Sequence, residues 1–132
     1  PAIDARHEIH AAFDKGSVEA IVAGLEEKGG DWAGAQLAAL RRGAPLSLKV
    51  THRALTLGKR LDITDALRME YALTSRFVET GAFLEGVRAQ IIDKDRQPRW
   101  PHATLESVTE AEVAAMFDPA PDTPDFGWET DP

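Results

Sequence analysis

Apolar residues along this chain recur at intervals of three and four, and nowhere do they alternate over a strand-length stretch, so the pattern predicts helices throughout. Ile9 and Phe13 lie four apart in a first helix over residues 4–14, which ends before Gly16. Ser17 can cap a second helix over 18–28, with Val18, Ile21, Val22 and Leu25 on one face and Gly29-Gly30 as its stop. Asp31 can cap a third over 32–42, closed by Gly43. Pro45 suits the first turn of a fourth helix, to about residue 57, because its missing N–H is an unpaired position there anyway. Asp62 caps the longest segment, 63–80, whose stripe runs through Ile63, Ala66, Leu67, Leu73 and Phe77. Gly81 breaks it, and a sixth helix is predicted over 83–93. After a loop with Pro98 and Pro101, Thr109 and Glu112 have the spacing of a capping box for a last short helix to about residue 117.

The fold class this predicts is all-α, with six to seven helices over residues 1–117. Residues 118–132 hold four prolines, five acids and no base, and predict an irregular acidic tail, disordered or docked on the surface. That tail supplies five of the seven formal negative charges, so the body is close to neutral. No basic face suited to a nucleic-acid backbone is evident, and no apolar run reaches the roughly 18 residues of a membrane span. Neither nucleic acid nor membrane is therefore expected as a partner. Aromatic residues make up only 7% of the chain. That thin supply of large apolar groups favours an outer helical layer on a core that is not present over a self-contained bundle, although a core of Leu, Ile, Val and Ala keeps the bundle open.

The absence of cysteine removes disulfides, thiolate zinc sites and thiol nucleophiles together, and it suits a reducing compartment. With no signal-peptide pattern at the start, a cytoplasmic location is expected. The lack of an initiator methionine before Pro1 reads as an excised or processed piece. His7 and His10 lie three apart, yet two histidines without a third ligand at fixed spacing are ordinarily solvated, and no metal site is expected. Glu70 falls between Ala66, Leu67, Leu73 and Phe77 on the helical wheel, which predicts a buried, structural carboxylate held by hydrogen bonds or an arginine. The segment 93–100 combines alternating charge, a proline stop and an indole. It reads either as a solvated helix end anchored by Trp100, or as a cationic ledge beside a flat apolar face, suited to a phosphorylated nucleotide such as coenzyme A.

The run Phe83-Leu84-Glu85-Gly86-Val87-Arg88-Ala89-Gln90-Ile91-Ile92-Asp93-Lys94-Asp95-Arg96-Gln97-Pro98-Arg99-Trp100 resembles the C-terminal signature of 3-hydroxyisobutyryl-CoA hydrolases, a branch of the crotonase (enoyl-CoA hydratase/isomerase) superfamily. Pro45-Leu46-Ser47-Leu48-Lys49-Val50-Thr51, Leu67-Arg68-Met69-Glu70-Tyr71 and Pro101-His102-Ala103-Thr104-Leu105-Glu106 agree with it in order and spacing, so the resemblance covers about residues 17–117. It implies a thioesterase of valine breakdown, in which water cleaves 3-hydroxyisobutyryl-CoA. Two backbone N–H groups would stabilise the oxyanion, and acidic side chains would handle the proton transfers. Those groups belong to a sheet-and-helix core that no segment here matches. The resemblance therefore implies the C-terminal third of such an enzyme, with no catalytic residue on this chain and no activity alone.

Its implied work is to cover the core, shape the acyl-CoA pocket and join subunit contacts. The partners would be the acyl-CoA substrate, the crotonase core of the same or another chain, and further copies of itself. By position Lys94 and Trp100, with Lys49, are implied on the coenzyme A side, and no cofactor is needed because coenzyme A is part of the substrate. Glu70 falls where the superfamily has a helix carboxylate, in keeping with a structural role. Two other readings stay open: a hydratase or isomerase of the same superfamily, and a stand-alone helical module for oligomerisation or docking.

Overall fold

The computed structural model describes residues 6–125, and among these the only regular elements are helices. In chain order they are α1 (Arg6–Phe13), α2 (Val18–Lys28), α3 (Gly30–Arg42), α4 (Pro45–Gly58), α5 (Ile63–Glu79), α6 (Ala82–Val87) and α7 (Glu110–Ala115), with a single π turn (Arg88–Ile92) continuing α6. The expected start of the first helix at residue 4 lies outside the described residues.

The starts are set by side chains that satisfy orphan N–H groups. Ser17 accepts from Ala20 N, and Asp62 accepts from Asp65 N. Thr109 and Glu112 form a full capping box at α7. Asp31 is not a cap. Gly29 and Gly30 both adopt left-handed φ angles, +62° and +82°, so the chain turns within two residues and α3 begins at Gly30, with Asp31 already in its first turn.

Two small cores result. Ala12, Ile21, Leu25 and Ala33 join α1, α2 and α3, with Trp32, Leu37 and Leu40 packed around them. Leu46 and Val50 of α4 pack with Leu73 of α5 and with Val108, Val113 and Met116 around α7. Among the described residues, Leu25 and Val50 are the largest side chains sealed from solvent. Polar clips tie the halves: Lys49 Nζ reaches Glu19 at 2.7 Å and Val108 O at 3.0 Å, and His52 Nε2 lies 2.9 Å from Lys15 O. Beyond α7, Ala120 is buried, and Pro119 and Thr123 line a cleft with Met69 and Ala72 of α5. That part of the expected tail is docked, and residues 126–132 lie outside the described residues.

Helix α5 corrects the expectation for Glu70, which is exposed. The helix carries two apolar stripes. Met69, Ala72, Leu73 and Phe77 face the core, whereas Ile63, Leu67 and Val78 lie on the other stripe and stay exposed, with Glu70 among them. Periodicity says which residues share a face; it does not say which face is covered.

Candidate functional site

The segment singled out by its charge pattern folds around one side chain. Arg88 uses all five of its N–H donors. Nε and Nη2 fork onto Glu85 at 2.9 and 2.8 Å, Nη1 reaches Asp93 at 2.6 Å and Asp95 at 2.7 Å, and Nη2 also donates to Gln97 O at 3.1 Å. Glu85 is one helical turn before Arg88, while both aspartates and Gln97 follow it, so the guanidinium pulls the chain beyond α6 back over its end. The carboxylates also take backbone donors: Arg99 N binds Glu85 at 2.6 Å, and Gln97 N binds Asp95 at 2.8 Å. The Arg88 fork, then the Arg99 N–H, holds the Glu85 carboxyl down at about 2. Arg88 likewise lowers Asp95, and its own pKa rises, first through Glu85.

The expected helix over 83–93 therefore ends differently. Asp93 N bonds Arg88 O, five residues back, at 2.8 Å, which widens the last turn, and Arg96 N then bonds Ala89 O at 3.0 Å. Lys94 and Arg96 both take φ = +56°, the left-handed region that non-glycine residues occupy at a cost of roughly 1–2 kcal/mol each. Such backbone persists only where its surroundings over-determine it. Here the Arg88 network does so.

Trp100 closes the turn. Its ring lies against α6 where a Cβ on Gly86 would come within 3.6 Å, and its indole N–H points at Arg42 O, 3.4 Å away at the end of α3. It separates two hollows. One, of about 570 Å³, is lined by Arg41, Arg42, Gln90, Arg96 and Pro98, with no acid in its wall. The other, of about 510 Å³, is mostly apolar, between Ala44, Leu46, Ala82 and Met116, with His102 and Glu112 on its rim at 2.9 Å. Glu112 also accepts from Thr109 N–H and Oγ1–H, and these contacts, ahead of His102, keep its carboxyl at about 2.

The residues expected on the coenzyme A side do not converge. Lys94 is exposed on the turn, near Trp100 in sequence but outside the wall of either hollow. Lys49 lies elsewhere, 13% exposed and engaged by Glu19 and Val108, which makes it a clip between α2 and α4. His10 pairs with Asp14 at 3.4 Å on the surface of α1. The central role of Arg88 was not singled out from the sequence. Its signal is there, as an arginine three residues after an acid and followed by two more acids. That Arg42 and Arg96 line one hollow has no local signal at all.

The chain matches the Enoyl-CoA hydratase/isomerase family over residues 1–117. It is 40% identical over 111 residues to the mitochondrial 3-hydroxyisobutyryl-CoA hydrolase of Gallus gallus, which covers 84% of this chain and 29% of that protein. The Homo sapiens protein of the same name is 38% identical over 109 residues, covering 83% and 28%. The chain thus spans less than a third of the length of these curated relatives. Among solved structures it resembles an enoyl-CoA hydratase from Rhodobacter sphaeroides 2.4.1, with a TM-score of 0.81 and 42% identity over 89% of this chain and 35% of that one. A carnitinyl-CoA dehydratase from Mycobacterium thermoresistibile gives a TM-score of 0.88 at 30% identity, covering 96% and 36%.

The mitochondrial relatives overturn the expected cytoplasmic location and point to mitochondria instead. A lack of cysteine suits any reducing compartment and does not tell one from another. Sequence run, helical architecture and relatives agree, and the chain belongs to the enoyl-CoA hydratase/isomerase family.

Proposed function

We propose that this chain is the C-terminal helical layer of an acyl-CoA thioester hydrolase acting on 3-hydroxyisobutyryl-CoA, that it covers the catalytic core, and that it is inactive alone. The names of its relatives supply the activity. One structural observation carries the layer: Ile63 is 70% exposed, Leu84 60%, Ile91 64% and Ile92 69%, with Leu67, Val78 and Phe83 also open, on α5, α6 and the π turn. A self-sufficient bundle would turn such residues inward, since exposed apolar clusters mark interaction surfaces. The core of the parent enzyme is the occupant this reading assigns to them. The chemistry would be water attack on the thioester carbonyl, with the oxyanion held by backbone N–H groups of that core. Coenzyme A enters as part of the substrate, and no separate cofactor is invoked.

Release of free coenzyme A from 3-hydroxyisobutyryl-CoA by the full-length parent tests the activity. Hydration of an enoyl-CoA without hydrolysis would overturn it in favour of a hydratase, the reading that the 42% identity to the Rhodobacter protein supports. Lys94 and Trp100 are assigned to the coenzyme A side of the pocket. Accordingly Lys94→Ala in the full-length enzyme raises KM more than it lowers kcat, and unchanged kinetics would return both residues to structure alone.

A further inference from the structure

We propose that the exposed stripe of α5 docks on a protein surface that presents a cationic side chain, an arginine or lysine of the parent's core, to Glu70. The other carboxylates of this helix are answered locally. Asp62 caps Asp65 N, Asp65 pairs with Arg68 at 3.2 Å, and Glu79 pairs with Arg76 at 3.1 Å. Glu70 alone of the four has no hydrogen-bond or ion-pair partner among the described residues. Its neighbours one helical turn away are Ala66, Leu67, Leu73 and Thr74, and none of them carries a positive charge. The helix by itself therefore offers no counter-charge.

At about 100° per residue, Ile63, Leu67, Glu70, Thr74 and Val78 fall on one narrow strip, and all five are exposed. Glu70 is the one charge on that strip and sits at its middle, with apolar groups on both sides. In water the carboxylate is solvated at no cost. Once the strip is covered, it needs a counter-charge, because an unpaired buried charge is strongly destabilising. This choice of position also sorts the occupants. A second copy pairing its own α5 strip across a two-fold axis would bring the two Glu70 carboxylates together at the centre, and like charges repel. A lipid surface would meet the charge in the middle of the apolar face that has to enter it. A protein surface with a cation at its centre satisfies both the apolar groups and the charge, and the pair then fixes the register of docking. The chain covers only 29% of its Gallus gallus relative, so most of such a protein lies outside it and can supply that surface. The proposal rests on the outer-layer reading given above.

The test is thermal melting of the full-length parent carrying Glu70→Gln, Glu70→Leu, Glu70→Asp or Ile91→Lys. Glu70→Gln and Glu70→Leu each lower the melting temperature by at least about 3 °C, because either leaves the core's cation buried without its partner. Glu70→Asp keeps the charge on a shorter arm and loses less. Loss of soluble protein with Gln and Leu but not with Asp is the same result. A Gln variant as stable as the unaltered protein beside a destabilised Leu variant shows neutral donors opposite Glu70, and overturns the cation. A Leu variant melting at or above the unaltered protein, while Ile91→Lys melts lower, overturns the pairing and leaves the layer standing. Unchanged melting in all four variants puts the strip in solvent, and the outer-layer reading fails with it.

Discussion

Arg88 and Glu112 each do at one side chain what a longer stretch of secondary structure would otherwise do. Arg88 binds three carboxylates and a carbonyl across residues 85–97, and its planar fork is essential to that, because an ammonium offers one point of charge where five directed donors are needed. Arg88→Lys is therefore expected to behave almost like Arg88→Ala. In hydrogen exchange the amides of Arg96, Gln97 and Arg99 lose at least about tenfold in protection in both, while α2 and α4 stay unaffected. Protection retained in the lysine variant would reduce Arg88 to a counter-charge. Glu85 and Glu112 make a second, titratable mark. Both carboxyls lie at about 2 when folded, below the usual 4.5, so the folded state binds fewer protons than the unfolded one. Their stabilisation is complete above the unfolded value and is lost as pH falls through the folded one. The melting temperature should stay level from pH 7 to about 5 and drop between about 4.5 and 2. Glu112→Gln should flatten part of that drop. Glu112 is exposed and Glu85 partly so, and the effect is therefore modest and shrinks with salt.

At the scale of elements, the helix starts were the legible part. Ser17, Asp62 and Thr109 each accept the bond their position announces, since capping depends on residues within three positions of one another. Thr109→Ala is expected to destabilise by about 1 kcal/mol in chemical denaturation, with α7 fraying first. Leu25→Ala, in the small α1–α3 core, should cost about 2–5 kcal/mol, because the side chain is fully buried and its removal leaves a cavity. The misreadings have physical causes as well. Asp31 was a plausible cap until two left-handed glycines started α3 one residue before it. The end of α6 read as plain helix because the partners that widen it, Asp93 and Asp95, act from beyond its end. The expected grouping of Glu70 with Leu67, Leu73 and Phe77 runs together two stripes of α5: Leu73 and Phe77 face the core, and Glu70 lies with Leu67 on the uncovered side.

For the whole molecule, the governing fact is the pairing of two modest cores with a broad exposed apolar band. Ile91→Lys tests what that band is for. In the isolated chain it should leave stability within about 0.5 kcal/mol, as surface changes do, and reduce self-association in sedimentation. In the full-length parent the same substitution should lower soluble yield or melting temperature, because there the residue would be buried against the core without a partner for its charge. No effect in the parent would mean the band faces solvent there too.

The sequence by itself determined the all-helical character, most helix starts and the family, because capping, periodicity and the 83–100 run are properties of residues near one another in the chain. Tertiary structure alone decided which stripe of α5 is buried, that Lys49 is a clip between α2 and α4, and that Arg42 and Arg96 line one hollow with Trp100. Each of these depends on residues brought together by packing from distant parts of the chain, and no local pattern encodes which of several similar faces will be covered.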